Sequence, residues 1–166
     1  VIVVSDSSPL IALARAKCFH LLPGLFPTIH IPAEAYDEIV FAGSGRPGAQ
    51  EVAQAEWIHV SPVREAEEVL AAMDSQGLGA GEVAAVQLAR ELNADVILID
   101  EAKARRYASE SGDFILFGCV GILEMLCKKR LIADLRETYR LLIAQDFRID
   151  PKIIENSLRK FGLKPI

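Results

Sequence analysis

Cysteine is scarce in this 166-residue chain: Cys18, Cys119 and Cys127 are the only three, widely spaced and without a CxxC pair. An odd, scattered set excludes a disulfide framework and a zinc site of paired cysteines, and implies buried free thiols in a reducing compartment. Histidine is as rare, and His20, His30 and His59 lack metal-ligand spacing. No Ser or Cys stands in a GxSxG-type nucleophile motif. No apolar run approaches the length of a bilayer span, and no basic-then-apolar leader opens the chain. The first apolar run, from Val1, is cut off by Asp6 too soon to be a signal peptide. The expectation is a cytoplasmic protein without a membrane segment, whose chemistry rests on neither thiol nor imidazole.

What is present has ordinary globular proportions, 51% hydrophobic and 25% charged residues. Length, with no repeat, low-complexity stretch or interdomain linker, predicts one domain over 1–166. Residues 150–166, after the Asp150-Pro151 junction, form a C-terminal helical tail in this reading. The net charge of −5 is uneven: residues 1–100 hold 5 Lys and Arg against 14 Asp and Glu, and residues 101–166 hold 13 against 9. Such asymmetry fits an acidic pocket beside cations that meet an anionic partner, and fits a solvated basic surface about as well.

Short apolar runs alternate with amphipathic segments. Strands are predicted at Val1–Ser5, Thr28–Ile31, Trp57–Val60, Asp95–Asp100 and Phe114–Phe117. Helices are predicted at Leu10–Ala16 (with Ser8 as cap and Pro9 in the first turn), from Pro32, and over Pro47–Ala55, Arg64–Met73, Ala80–Leu92 and Glu101–Ser111. Three more follow at Cys119–Lys129, Ala133–Gln145 and Asp150–Phe161. This alternation implies an α/β fold of three layers, α/β/α, around a central parallel sheet. In such sheets ligands bind beyond the carboxyl ends of the strands, at a topological switch point.

Four acids stand where apolar elements begin or end. Asp6 closes the first strand and Asp100 closes Val96-Ile-Leu-Ile99. Glu38 lies in the helix opened by Pro32, four residues after Glu34, and Glu82 follows Gly77-Leu-Gly-Ala-Gly81. That glycine run is no dinucleotide fingerprint, because it follows a charged helix and leads into an acid that repels phosphate. It lets the backbone turn so that Glu82 lands in a first helical turn. Taken singly, Glu38 is an ordinary surface acid, Glu82 a helix-dipole partner and Asp6 part of a helix start. Together they form an oxygen-rich set suited to Mg²⁺ or Mn²⁺. Asp6, Glu38, Glu82 and Asp100 are the candidate catalytic acids, with Asp6, Glu82 and Asp100 as metal ligands. Ser7 supports Asp6, and Arg105 and Lys103 are candidates for substrate phosphate, since Arg suits bidentate contact with it.

These residues in this order resemble the PIN-domain ribonucleases, and more narrowly an uncharacterised prokaryotic branch related to VapC toxins. The resemblance rests on Asp6-Ser-Ser-Pro-Leu, Pro32 to Glu38, Gly81-Glu82, Asp100-Glu101 with Arg105 and Ala108, and Gly118-Cys-Val-Gly-Ile-Leu123, across roughly residues 1–135. It implies a PIN-like fold, Mg²⁺ or Mn²⁺ as cofactor and cleavage of single-stranded RNA. It also implies a toxin role, a small antitoxin partner and homodimers. Two positions depart from the pattern: Glu82 stands where most PIN nucleases have Asp, and Cys119 where the branch often has Thr. The alternatives are a PIN-like module that binds RNA or protein without cutting, and phosphate chemistry at a nucleophilic Asp. A dehalogenase-type phosphatase wants an Asp where Ser8 stands, and a receiver domain wants a Lys that the strand near Phe114 lacks.

Overall fold

Alternate residues of the central strands enter different cores. Val3, Val96 and Leu98 pack into one apolar cluster, while Val4, Ile97 and Ile99 pack into another. A strand buried on both faces has no polar side to show, which is why these runs read as unbroken Val, Ile and Leu.

The computed structural model describes residues 1–166. Five strands, β1 (Val3–Ser5), β2 (Ile29–Pro32), β3 (Ile58–Ser61), β4 (Val96–Leu98) and β5 (Ile115–Phe117), form one sheet in the order β3-β2-β1-β4-β5. Every pairing is parallel, with Ser5 opposite Leu98 and Val4 opposite His30. The chain thus builds outward from β1 to β3, then returns to the other side of β1 with β4. The switch point lies between β1 and β4.

Helices cover both faces. They are α1 (Ser7–Arg15), α2 (Ala33–Tyr36), α3 (Ala49–Gln54), α4 (Ala66–Gln76), α5 (Ala80–Glu91), α6 (Ala102–Ser111), α7 (Cys119–Lys128), α8 (Leu135–Ala144) and α9 (Pro151–Lys160). The larger core takes Leu10 and Leu13 of α1, Ile122 and Leu126 of α7, Tyr139 of α8 and Leu158 of α9. The smaller takes the Val- and Ala-rich face of α5 with Val69 of α4 and Ala104 and Ala108 of α6. The fold is the expected α/β/α sandwich around a parallel sheet.

Boundaries moved by one to three residues, for physical reasons. Helix α1 begins at Ser7, with Asp6 rather than Ser8 as the last extended residue, φ −77° and ψ 173°. The segment Phe19–Gly24, which contains Pro23, winds as a 3-10 helix. After Tyr36 the helix widens into a π turn over Asp37–Phe41, closed by the Ala42 N–H donating to Asp37 O at 2.9 Å. Within residues 150–166, Ile154 and Leu158 are buried in the larger core. Cys18 and Cys119 are buried free thiols, and Cys127 is half-buried. No helix is long and apolar enough to cross a membrane.

Candidate active site

The switch point sets two acids side by side. The Asp6 N–H continues the ladder by donating to Leu98 O at 3.0 Å, and Asp100 lies two residues past Leu98, where the neighbouring strand ends. Asp6 occupies the N-cap position of α1, yet its carboxylate makes no cap bond to that helix's later N–H groups. It is 1% exposed. Burial, partly offset by the Ser7 N–H, pushes its carboxyl up to about 7, and the charges of Glu82, Glu38 and Asp100 push the same way. The other three candidate acids therefore all act on Asp6.

Glu38 arrives from the π turn and Glu82 from α5. The Ser7 hydroxyl donates to Glu38 Oε2 at 3.0 Å and lies 3.5 Å from Asp6 Oδ1, bridging the two. Gly81 makes this convergence sterically feasible: a Cβ there would lie 2.7 Å from Glu38 Oε2 and 3.3 Å from Asp6 Oδ1. Glu82 is the third residue of α5, and its Oε1 accepts the Gly79 N–H at 3.0 Å. That reach back to the helix start suits glutamate better than the shorter Asp. Gly77, at φ +64°, ends α4 in the left-handed conformation, so the glycine run does turn the chain into Glu82. Burial raises the Glu82 carboxyl, the Gly79 N–H lowers it, Glu101 and Glu38 raise it, and Lys103 lowers it; the net direction is up.

Asp100 is held from the far side. Its Oδ1 accepts the Cys119 N–H at the start of α7, at 2.7 Å, while its Oδ2 is buried with no hydrogen-bond partner. Gly118 is needed here, because a Cβ would sit 2.8 Å from Asp100 Oδ1. Burial raises this carboxyl against the pull of the Cys119 N–H and thiol and of Arg105. The thiol is driven far above its ordinary range by burial and by Asp100, which leaves it protonated and unreactive. Arg105 donates Nη1 to Ile99 O at 2.9 Å, so one of its donors is spent on the backbone. Lys103 Nζ reaches Gly77 O at 3.4 Å, tying α6 to the end of α4.

Two clefts meet here. One, of about 930 Å³, is lined by Asp6, Ser7, Glu38, Gly81 and Glu82 together with Glu34, Asp37, Phe41 and Glu101, and by no Lys or Arg. The other, of about 810 Å³, is lined by Asp100, Glu101 and Arg105 together with Arg148, Lys160 and Asn156. Glu101 borders both. The structure thus brings Asp6, Ser7, Glu38 and Glu82 into one cleft, sets Asp100 and Arg105 in its neighbour, and leaves Lys103 outside the lining of either. Asp37, Phe41, Arg148 and Lys160 were absent from the expected set; the pair Asp37-Glu38 was a signal available for the first. A partly protonated carboxylate cluster open to solvent can bind a hard cation and can take up a proton. As they stand, no three His, Cys, Asp or Glu side chains are gathered into a ready ligand shell.

A family model, DUF3368, described as a PIN domain, matches residues 2–163. No curated protein matches the chain.

Proposed function

The chain belongs to the PIN-domain family, and from that premise we propose that it is a metal-dependent endoribonuclease hydrolysing phosphodiester bonds in single-stranded RNA. PIN domains are generally nucleases and typically use divalent metals. The observation that carries the reading is geometric: Asp6, Glu38 and Glu82 line one cleft, with Asp100 in the cleft beside it. Like charges crowded this way call for a compensating cation.

The residues fit such an ion in chemistry. Every candidate donor is a carboxylate oxygen, the ligand that Mg²⁺ and Mn²⁺ prefer. Asp100 Oδ2 is buried without a partner, and the Glu82 cap engages only one of its oxygens, Oε1. Asp6, Glu82 and Asp100 would hold the metal. When bound, it supplies charge that neutralises the scissile phosphate and acidifies water.

The chain's own side chains do the rest. Ser7 fixes Glu38 against Asp6. Glu38, so oriented, takes the proton from the attacking water as the new P–O bond forms and the leaving oxygen departs. Arg105 keeps further donors for a phosphate oxygen after its bond to Ile99 O, and Lys103 adds positive charge near Glu82.

Cytoplasmic location, a toxin role, a small antitoxin partner and a homodimer belong to the same proposal. Co-purification and sedimentation test the last two. One observation favours a second reading, a PIN-like module that binds RNA or protein without cutting: no three ligands stand ready together. Cleavage of a labelled single-stranded RNA with Mn²⁺ or Mg²⁺, beside EDTA and Asp6→Asn controls, separates the two. Metal-dependent cleavage that the substitution abolishes is the expected result. A folded protein that binds Mn²⁺ but does not cut is a binding module, and one that does neither overturns the four-acid reading.

A further inference from the structure

The acidic cleft has one lining residue that its chemistry does not explain. Phe41 is 69% exposed, a large apolar ring on the wall of a cleft dominated by carboxylates. It ends the π turn that also carries Glu38. Such turns are rare and frequent at functional sites. Tyr36, one turn earlier, braces it edge to face, with ring centroids 5.9 Å apart and planes at 75°. That geometry engages at most one face of Phe41.

Charge says what the free face meets. The acidic cleft contains no Lys or Arg, whereas Arg105, Arg148 and Lys160 all line the neighbouring cleft. A single-stranded RNA crossing from one to the other finds its phosphate contacts on one side only. On the acidic side it must be gripped by something uncharged. An exposed aromatic face serves this purpose for single strands, because every base offers a face to stack on it.

We propose that Phe41 is a positioning residue, a platform on which a base of the single-stranded RNA stacks, fixing the strand against Glu38. This rests on the ribonuclease reading above. It also assigns direction: the stacked base lies on the acidic side, and the flanking phosphates run toward Arg148 and Lys160.

The test measures binding of a short labelled single-stranded RNA to the Asp6→Asn protein, which does not cut it, with and without Phe41→Ala or Phe41→Trp. Phe41→Ala weakens binding about 5- to 100-fold, the range for loss of one stacked base, whereas Phe41→Trp retains it. In the cleaving protein the same change raises KM more than it lowers kcat. A strand carrying one abasic position at the stacking point loses affinity for the parent and shows no further loss with Phe41→Ala. A purely structural role for the ring would instead weaken intact and abasic strands equally. Parent-like affinity of Phe41→Ala, in a protein that does cut single-stranded RNA, overturns the platform alone. A parent that neither binds nor cuts single-stranded RNA overturns the ribonuclease reading and the platform with it.

Discussion

The Ser7 hydroxyl donates to Glu38 Oε2 at 3.0 Å, joining residues 31 positions apart. Ser7 begins α1 one residue after β1 ends, and Glu38 belongs to the π turn after α2, so this one bond ties the rim of the sheet to the wall of the cleft. Ser7 is buried, and its oxygen is also 3.5 Å from Asp6 Oδ1. One hydroxyl therefore spaces two carboxylates that would otherwise repel.

Replacing Ser7 by Ala should reduce turnover more than stability. A hydrogen bond to a charged group contributes about 1.5–3 kcal/mol, or roughly 10- to 100-fold if it is needed in the transition state. Stability should change less, because Glu38 is exposed and regains water when released. The measurement is kcat beside the melting temperature. A fall of several degrees with unchanged kcat would make Ser7 a folding residue only.

The sheet was legible because its strands leave no choice. Val3-Val4 and Val96 to Ile99 are too apolar and too β-branched to lie on a surface, and each ends in an acid at the rim. Asp6 and Asp100 could thus be placed from local pattern alone. The π turn could not, since its extra residue leaves no periodic mark: Ile39 falls inward as expected while Phe41 emerges in the cleft. Nor could the grip on Asp100 be read, because it comes from a backbone N–H 19 residues later. Nothing in a residue's identity announces what its amide will bind. The division of the acids between two clefts was hidden for the same reason, being set by how α7 and α9 pack.

Gly81→Ala should separate site from scaffold. Gly81 lies in α5, where alanine is favoured over glycine by up to about 1 kcal/mol. The new methyl would approach Glu38 Oε2 to 2.7 Å, the movable end of a side chain rather than backbone. The expected variant melts at or above the parent temperature but binds Mn²⁺ at least tenfold more weakly, as Glu38 and Asp6 are forced apart. Calorimetry of Mn²⁺ binding beside thermal melting decides it. Parent-like affinity would mean that the two acids need not approach as closely as they do.

The last helix should prove part of the cooperative unit. Tyr139 OH and Ser157 Oγ lie 2.6 Å apart, both buried, linking α8 to α9. Tyr139→Phe leaves the Ser157 hydroxyl unsatisfied and should destabilise by about 1–3 kcal/mol. Leu158→Ala, at a fully buried position, should remove about 2–5 kcal/mol. Both should lower a single thermal transition, by about 2–4 °C per kcal/mol for a domain of this size. A separate early transition, with the main one unmoved, would show that residues 150–166 unfold on their own.

Burial of Asp6, reinforced by its acid neighbours, should also make the metal-free protein less stable as pH rises, the reverse of common acid denaturation. Asp6 binds its proton up to about pH 7 when folded, but only to its ordinary value of 3.8 when unfolded. Between those limits the folded state holds more protons, so stability is fully present below about pH 4 and is lost as pH climbs through 7. A shift of about three units corresponds to about 4 kcal/mol. Glu82 and Asp100, also raised, act in the same direction. His30 opposes them below its ordinary value of 6.5, because burial and then His59 lower its own proton affinity. Asp6→Asn is therefore the control that isolates the acid. With chelator present, the parent should melt at a higher temperature at pH 5 than at pH 8, and Asp6→Asn should narrow the gap. Mn²⁺ added at pH 8 should raise the parent's melting temperature far more than the variant's. If the chelated parent is instead as stable at pH 8 as at pH 5, Asp6 ionises without cost, and neither its burial nor the carboxylates around it carry weight.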